Sequence, residues 1–242
     1  MANATGLCGP VSVAAQVLYT SSSDQLHQLG LLVHSNDGRV FRYAKAGGTT
    51  LVRGNLQQAS AEDTSNFQNL TATNVAAAAT SVTTTSTVTL TANQLAGGFL
   101  VTVSATTGAG QVARIAGHAA ATAAVVTINL DDPLVLATTG TLKIDMIPNP
   151  YSAVVVNPTT ATSAPVGVCI HPITNAQFGW LQVRGAGPVL LDAGTGVVGT
   201  EQVASNATAG AVEPLTGVQA IVGTLLTGIA ATDIGFCMLK LA

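Results

Sequence analysis

The chain has few charged side chains. Asp, Glu, Lys and Arg together make up 8% of its 242 residues, against about 25% in an average soluble protein. Eight basic and eleven acidic residues give a formal net charge of −3. The basic residues are spread thinly, so the sequence offers no basic stripe that could follow the phosphates of DNA or RNA. We therefore expect no direct contact with nucleic acid.

Long apolar runs are also missing, although 48% of the residues are hydrophobic. A spanning helix needs about 20 apolar residues, and the best candidate, residues 218–242, is interrupted by glycines, threonines, Asp233 and Lys240. The N-terminus has no basic residues before its apolar ones, as a secretory signal would. We expect no membrane segment and synthesis in the cytoplasm. The surface must then be covered by uncharged polar residues or by other subunits.

Cysteine is rare, and no metal site is predicted. Cys8, Cys169 and Cys237 are an odd number at wide spacing, without the paired ligands that hold zinc. No two of the four histidines lie within four residues of each other. We expect the cysteines to be small buried hydrophobic residues in a reducing compartment.

Catalytic and cofactor motifs are absent or incomplete. Residues 194–199 match G-x-G-x-x-G, but no helical period follows to direct a helix N-terminus at a pyrophosphate, so a turn is predicted there. Asp131 and Asp132 precede Pro133 and should form a turn, because adjacent strand residues point to opposite faces. No G-x-S-x-G nucleophile motif occurs. We predict a protein without cofactor that is not an enzyme.

What the chain does have is β patterning, most clearly in the stretch 177–192, which contains the only tryptophan. Phe178–Val183 is apolar on both faces, which predicts an interior strand. The run 184–188 contains two glycines and a proline and is predicted to break that strand, with a second strand over Val189–Leu191. The C-terminal strand Ile234–Leu241 is also apolar on both faces, so we expect it to be buried or to lie in a subunit interface.

A β-hairpin is predicted over Leu29–Ala44, because Asp37-Gly38 is a residue pair typical of a tight hairpin turn. A two-residue or four-residue loop places His34 and Phe41 on one face, and Val33 and Arg42 on the other. Arg39, Arg42 and Lys45 concentrate cations here, either as a solvated edge or as a contact to an acidic partner surface. Our candidate residues for a capsid or subunit contact are Arg39, Arg42, Tyr43 and Trp180.

These patterns predict an all-β protein. We expect an extended N-terminal arm over residues 1–28 that orders against another surface. A β-sandwich or jelly-roll-like base should comprise residues 29–70 and 151–242, and a small β-barrel or sandwich module is inserted over residues 71–150. The strands predicted in the module are Ser81–Leu90, Phe99–Ser104, Gln111–Ile115, Ala124–Leu130 and Thr141–Ile147.

Several phrases of the sequence, in their order, resemble a group of virion proteins of tailed bacteriophages. The group is similar to capsid decoration, or cement, proteins, which are β-rich, commonly trimeric and located on the outside of the head. The phrases are DGRVFRYAKAG (37–47), AGGFLVTVSATTGAGQVARIAGH (96–118), DDPLVL (131–136), IPNPYSAVVV (147–156), PVGVCI (165–170) and FGWLQVRG (178–185). After PVGV the chain departs from the expected pattern at 169–172.

The resemblance implies a non-enzymatic structural protein on the capsid exterior of a virion, made in the host cytoplasm. Its partners would be the major capsid protein and further copies of itself, as a homotrimer. The hairpin 29–45 and the arm would contribute to the capsid contacts. Two alternatives stay open: an adhesin of a head or tail fibre that binds a host receptor or glycan, and a β-fold glycan depolymerase.

Overall fold

A computed structural model describes residues 11–12, 15–192, 197–217, 219–227 and 233–241. Nearly all of the regular structure is β, so the predicted all-β class is confirmed. A 3-10 helix spans Ala15–Tyr19, and the helix α1 spans Thr64–Phe67. The strands of the described residues are β1 (Val11–Ser12), β2 (Leu32–His34), β3 (Val40–Lys45), β4 (Leu56–Gln58), β5 (Leu70–Thr71), β6 (Ser81–Thr85), β7 (Thr89–Leu90), β8 (Phe99–Ser104), β9 (Val112–His118), β10 (Ala121–Thr122), β11 (Val125–Leu130), β12 (Lys143–Ile147), β13 (Val155–Val156), β14 (Pro165–Cys169), β15 (Phe178–Leu191), β16 (Glu201–Ala204), β17 (Ala211–Pro214), β18 (Ile221–Thr227) and β19 (Ile234–Lys240).

The chain divides into two compact units. The first comprises Met1–Ala61 and Pro150–Ala242, and the second comprises Glu62–Asn149. The inserted module was predicted to begin at residue 71. Residues 62–70 belong to it as well, because Phe67 of α1 and Leu70 of β5 are buried in the core of the second unit.

The first unit contains a five-stranded barrel. β15 pairs with β17, β17 with β16, β16 with β18, and β18 with β19, and β19 returns to pair with β15. Apolar residues of alternate positions fill the interior, as expected for a small closed barrel. The remaining strands extend the sheet from the other half of β15, through β3 and β2 on one side and β14 and β4 on the other. The barrel core is lined by Val189, Leu191, Ala204, Val212, Val222, Leu225, Cys237 and Leu239.

The second unit has a six-stranded sheet in the order β5-β12-β8-β9-β11-β6. A bridge between Ala72 and Thr84 joins its two edge strands, so the sheet curls into a barrel. The predicted threonine strand over 81–90 is divided into β6 and β7, because the Ser86 hydroxyl donates to Val88 O at 2.7 Å and turns the chain. Its predicted alternation is found, with Val82 and Thr84 buried and Thr85 exposed.

The predicted break at 184–188 was wrong, since β15 is one strand of 14 residues that includes this segment. Gly185 has φ +85° and accompanies a register shift against β3, so the residues act as a β-bulge instead of a turn. Pro188 removes no backbone hydrogen bond between β15 and β19. Leu190 N donates to Gly54 O and so points away from β19. Backbone nitrogens two positions apart in a strand point in the same direction, so the nitrogen of Pro188 also points away from β19.

The side chain of Gln182 supports this bulge from within. It is fully buried, and its Nε2 donates to Arg184 O at 3.2 Å and to Ala186 O at 2.9 Å. A Cβ on residue 187 would lie 2.9 Å from the amide of Gln182, so glycine there provides the space for the bridge. The glycines that suggested a break are thus required by a local hydrogen-bonded bend.

The predicted hairpin is present, but its register and faces were wrong. β2 and β3 pair Val33 with Phe41 and His34 with Val40, which leaves a loop of five residues between them, Ser35–Arg39. A loop with an odd number of residues reverses the parity that two or four would give. Val33 and Phe41 therefore share the buried face, and Arg42 lies on the other.

Residues 15–28 of the predicted arm pack on the first unit. Leu18 is fully buried, and Ser22 and Phe178 exchange two backbone hydrogen bonds at 3.0 and 2.8 Å. Residues 1–10 and 13–14 lie outside the described residues. The described part of the arm is therefore a component of the base, unlike the extended segment that was predicted.

The bulge at Gly185 gives a first test. We expect Gly185→Ala to lower the free energy of unfolding by about 1–2 kcal/mol, because a left-handed backbone penalises a Cβ and the added Cβ would lie 3.1 Å from Arg39 Cα. Gly48→Ala is the control, since its φ is ordinary and its added Cβ meets nothing within 4 Å. Equal denaturant midpoints for the two variants would contradict the strained bulge.

Candidate interaction surface

The first predicted contact residue, Arg39, is held by its own unit. Its Nε lies 2.7 Å from Asp37 Oδ2, and its Nη1 donates to the Tyr19 hydroxyl at 3.0 Å. Its guanidinium carbon is 5.4 Å from the centre of the Phe41 ring, within the range of a cation–π contact. The charge of Arg39 is thus compensated within the hairpin and the segment before it.

The other hairpin cations also lie against aromatic rings. Arg42 Nη1 donates to Gly30 O at 2.9 Å, and its guanidinium carbon is 5.5 Å from the Tyr151 ring centre. Lys45 Nζ is 5.5 Å from the Phe178 ring centre. These contacts hold the cations in fixed orientations. A packed sheet edge has such contacts, whereas the side chains of a flexible basic patch would not.

Tyr43 and Trp180 are buried, with 3% and 2% of their surface exposed. Their ring centres are 5.0 Å apart, and His27 stands edge-on to Tyr43 at 5.1 Å. The Tyr43 hydroxyl accepts a hydrogen bond from Leu26 N at 3.1 Å. Both residues belong to the core that β3 and β15 share, and this burial removes them as candidate contact residues.

The clearest exposed apolar surface is on β19. Its residues alternate strictly: Gly235, Cys237 and Leu239 face the barrel interior, whereas Ile234, Phe236 and Met238 are 44%, 43% and 40% exposed. This strand was predicted to be apolar on both faces and to be buried or in a subunit interface. The structure leaves one of these faces open.

The pairing register extends this surface onto β15. Leu190 lies opposite Ile234, Pro188 opposite Phe236 and Ala186 opposite Met238, and these three β15 residues are half-buried. We call this surface the β19 face, and it consists of Ala186, Pro188, Leu190, Ile234, Phe236 and Met238.

The β19 face ends in a charged rim. The next pair along the ladder is Arg184 with Lys240, and Lys240 Nζ lies 3.8 Å from Glu201 Oε1. An apolar centre beside a polar rim is the usual composition of a protein–protein interface. On the other side, β18 contributes Thr224 opposite Met238 and Thr227 opposite Phe236. The face is therefore uncharged except at one end.

Nucleophilic chemistry is not favoured by the described cysteines. Cys169 and Cys237 are buried and form no disulfide, and burial raises the pKa of each thiol to about 12. Both thiols are therefore protonated at neutral pH and unreactive. Cys8 lies outside the described residues.

One polar cluster was missed by sequence reasoning. Asp192 is 6% exposed and accepts hydrogen bonds from the hydroxyls of Ser205 and Thr208, the latter at 2.7 Å. Ser205 Oγ also accepts from Ala207 N and Thr208 N. Because the serine proton is directed at a carboxylate and the hydroxyl is buried, the cluster ties a loop together instead of activating a nucleophile.

The predicted ligand motifs can be placed in part. In the described residues, no group of three or more His, Cys, Asp or Glu could hold a metal ion. Gly194 and Gly196 lie outside the described residues, and strand β16 follows Gly199 where a dinucleotide site would need a helix. Asp131 and Asp132 follow the end of β11, as predicted for a turn.

Among the helices of the described chain, none is long and apolar enough to cross a membrane.

The ion pair of the hairpin gives a second test. Partial burial acts to raise the pKa of Asp37, but hydrogen bonds from Arg39 outweigh it, so this pKa lies below its ordinary value. The stabilisation is therefore present at neutral pH and is lost as the pH falls through the folded-state pKa. Since Asp37 is about half exposed, we expect Asp37→Asn to cost less than about 1 kcal/mol at pH 7 and nothing at pH 2.

The matched control is Asp24→Asn, at an aspartate of the same unit that has no ion pair among the described residues. Urea midpoints of wild type and both variants at pH 7 and pH 2 measure the effect. A difference between wild type and Asp37→Asn that persists at pH 2 would exclude the charged form as its source.

The chain matches no protein family model, and no significant match to it was found among the curated proteins or the solved structures.

Proposed function

We propose that this chain is a non-enzymatic decoration protein on the exterior of a bacteriophage capsid, where it binds the major capsid protein and stabilises the shell. The observation that carries the self-association in this proposal is the β19 face, an open apolar surface in a chain with only 8% charged residues. Exposed apolar patches of this kind mark interaction sites in soluble proteins. The ordered phrases that resemble phage decoration proteins give the class of assembly.

Self-association is part of this proposal. Covering the β19 face with another copy removes Ile234, Phe236 and Met238 from water, and burial of apolar area contributes roughly 25 cal/mol per Å². Homo-oligomers close with point symmetry, and we propose a homotrimer. The proposed protein is made in the host cytoplasm and needs no cofactor for this role.

Stabilisation of the shell would follow from mass action. A subunit that binds the assembled capsid better than free capsomers shifts the equilibrium towards the intact shell. For the capsid contact, the exposed hairpin tip at Asn36, Asp37 and Gly38 is the available part of the predicted base, since Tyr43 and Trp180 are buried. Arg39 is fixed directly behind this tip by Asp37.

The test is co-sedimentation of the purified protein with undecorated phage heads, alongside its mass by light scattering. We expect a trimer, three times the 24.1 kDa chain, that pellets with heads. A truncation that removes residues 1–14 should weaken head binding and keep the mass and the circular dichroism. It leaves Leu18 and the Ser22–Phe178 hydrogen bonds in place.

The matched control for the hairpin is a pair of charge changes. Asn36→Lys alters the exposed tip, whereas Asn129→Lys alters an exposed position in the second unit. We expect only the first to reduce head binding. Wild-type protein that remains in the supernatant at every concentration would refute the proposed function.

A second candidate function, adhesion to a host glycan, is favoured by one observation in the second unit. A cavity of about 470 Å³ is lined by Thr71, Thr73, Thr83, Thr85 and Thr87 beside Val125, with no charged side chain in its lining. Hydroxyl groups suit hydrogen bonding to a neutral sugar. This function predicts saturable binding to host cells that Thr73→Val with Thr85→Val weakens at least several-fold, while head binding is unchanged.

A further inference from the structure

A second exposed apolar surface lies in the second unit. On β8, Phe99 and Val103 are each 43% exposed, and their neighbours Ile147 on β12 and Val112 on β9 are 49% and 65% exposed. The register places Phe99 between Ile147 and Arg114, and Val101 between Asp145 and Val112. We call this surface the β8 face, and it consists of Phe99, Val101, Val103, Val112 and Ile147.

We infer that the β19 face of one copy packs against the β8 face of a second copy, in a head-to-tail contact that repeats around a closed ring. This inference deepens the proposed function, and it rests on the self-association part of that proposal. The occupant of each face is thus another copy of this chain.

The symmetry of a closed ring requires two different contact surfaces on each subunit. A surface that packs on its own counterpart generates a two-fold dimer, whereas a ring of three needs two different surfaces on every subunit. The chain supplies two apolar sheet faces, one in each unit. Sheets pack face to face at about 10 Å with interdigitating side chains, and both faces project large residues from alternate strand positions.

Area is the second argument. An exposed apolar patch of a monomer covers at most a few hundred Å², while a stable interface buries about 800 Å² per partner. A dimer through one face would cover one patch in each copy and leave the other in water. A ring covers both patches of every copy, so each subunit gains two contacts.

Charge is the third argument. Arg184 at the rim of the β19 face is exposed and is in no ion pair among the described residues. Asp145 stands in a row of the β8 face and accepts from Asn69 N at 2.6 Å, and no described cation lies within ion-pair distance of its carboxylate. Lys143 lies on the same side of β12 as Asp145, and its Nζ donates to Thr71 Oγ1 at 2.6 Å without an ion pair among the described residues. The complementary pair across the contact is therefore Arg184 of one copy with Asp145 of the next.

The test uses one disrupting substitution in each face of the full chain. Phe236→Asp changes the β19 face and Val112→Asp changes the β8 face. Val135→Asp is the control for the second, because Val135 is 79% exposed, also lies in the second unit and belongs to neither face. Circular dichroism and thermal unfolding confirm that each variant folds. If Phe236→Asp does not fold, Met238→Asp takes its place.

Light scattering at the concentration where wild type is a trimer then measures the masses. We expect each face variant alone to fall to one third of the wild-type mass and the control to keep it. In a 1:1 mixture of the two face variants, the intact β8 face of one meets the intact β19 face of the other. Because this complex is held by one small contact, we expect its mean mass to rise above that of either variant alone as the concentration is raised. Heads are absent from this experiment, so its outcome is independent of capsid binding.

Other outcomes would overturn the inference. A trimer that survives Val112→Asp but not Phe236→Asp would show that the β19 face pairs with something other than the β8 face. A mixture of the two face variants whose mean mass stays at that of a monomer over the whole concentration series would exclude the head-to-tail contact. A wild-type monomer would overturn both this contact and the self-association part of the proposed function, whereas a trimer that ignores heads would overturn capsid binding alone.

Discussion

The first unit depends on one strand that serves two sheets. The first half of β15 pairs with β3 and β14, and its second half pairs with β19 and β17. A strand can exchange neighbours only if it bends, and the bulge at Gly185 supplies the bend. Gln182 fixes that bend by bonding two backbone carbonyls that a regular ladder would have used. The barrel and its open β19 face follow from this local arrangement.

Among its described residues, the first unit has few ion pairs and buries several glutamine side chains. Gln57, Gln182 and Gln202 have at most 1% of their surface exposed, and the Nε2 of each donates to a backbone carbonyl within two to four residues. The Oε1 of each of these glutamines is buried without a hydrogen-bond partner among the described residues, so each amide is only half satisfied and its burial carries a cost. The described salt bridges are few, and their side chains are partly exposed. Stability therefore comes mainly from apolar burial, and the short-range amide bonds fix local backbone geometry.

Sequence periodicity was enough to find the class and most strands. Phe99–Ser104 was predicted with its observed limits, because a run rich in aromatic and β-branched residues lies between Gly97-Gly98 and the glycine turn at 107–110. The same reasoning failed at 184–188, where glycine and proline mark a bulge whose stabilising partner, Gln182, is a side chain that no local pattern identifies. It also failed at the hairpin, because Asp37-Gly38 predicts a turn but does not count its loop residues. The openness of the β19 face needed three dimensions, since an apolar strand looks the same whether it is covered or exposed.

The alternation of β19 also explains why its exposed residues need not serve the fold. Cys237 and Leu239 already fill the barrel, so Phe236 and Met238 could be polar without loss of core packing. Thr224 and Thr227 show that the neighbouring strand uses polar residues on the paired positions. Apolar residues kept on an outward face cost solubility, and a contact with another surface offsets that cost. Two such faces in one chain, with Arg184 at the rim of one and Asp145 in a row of the other, are more simply explained by each other than by two unrelated partners.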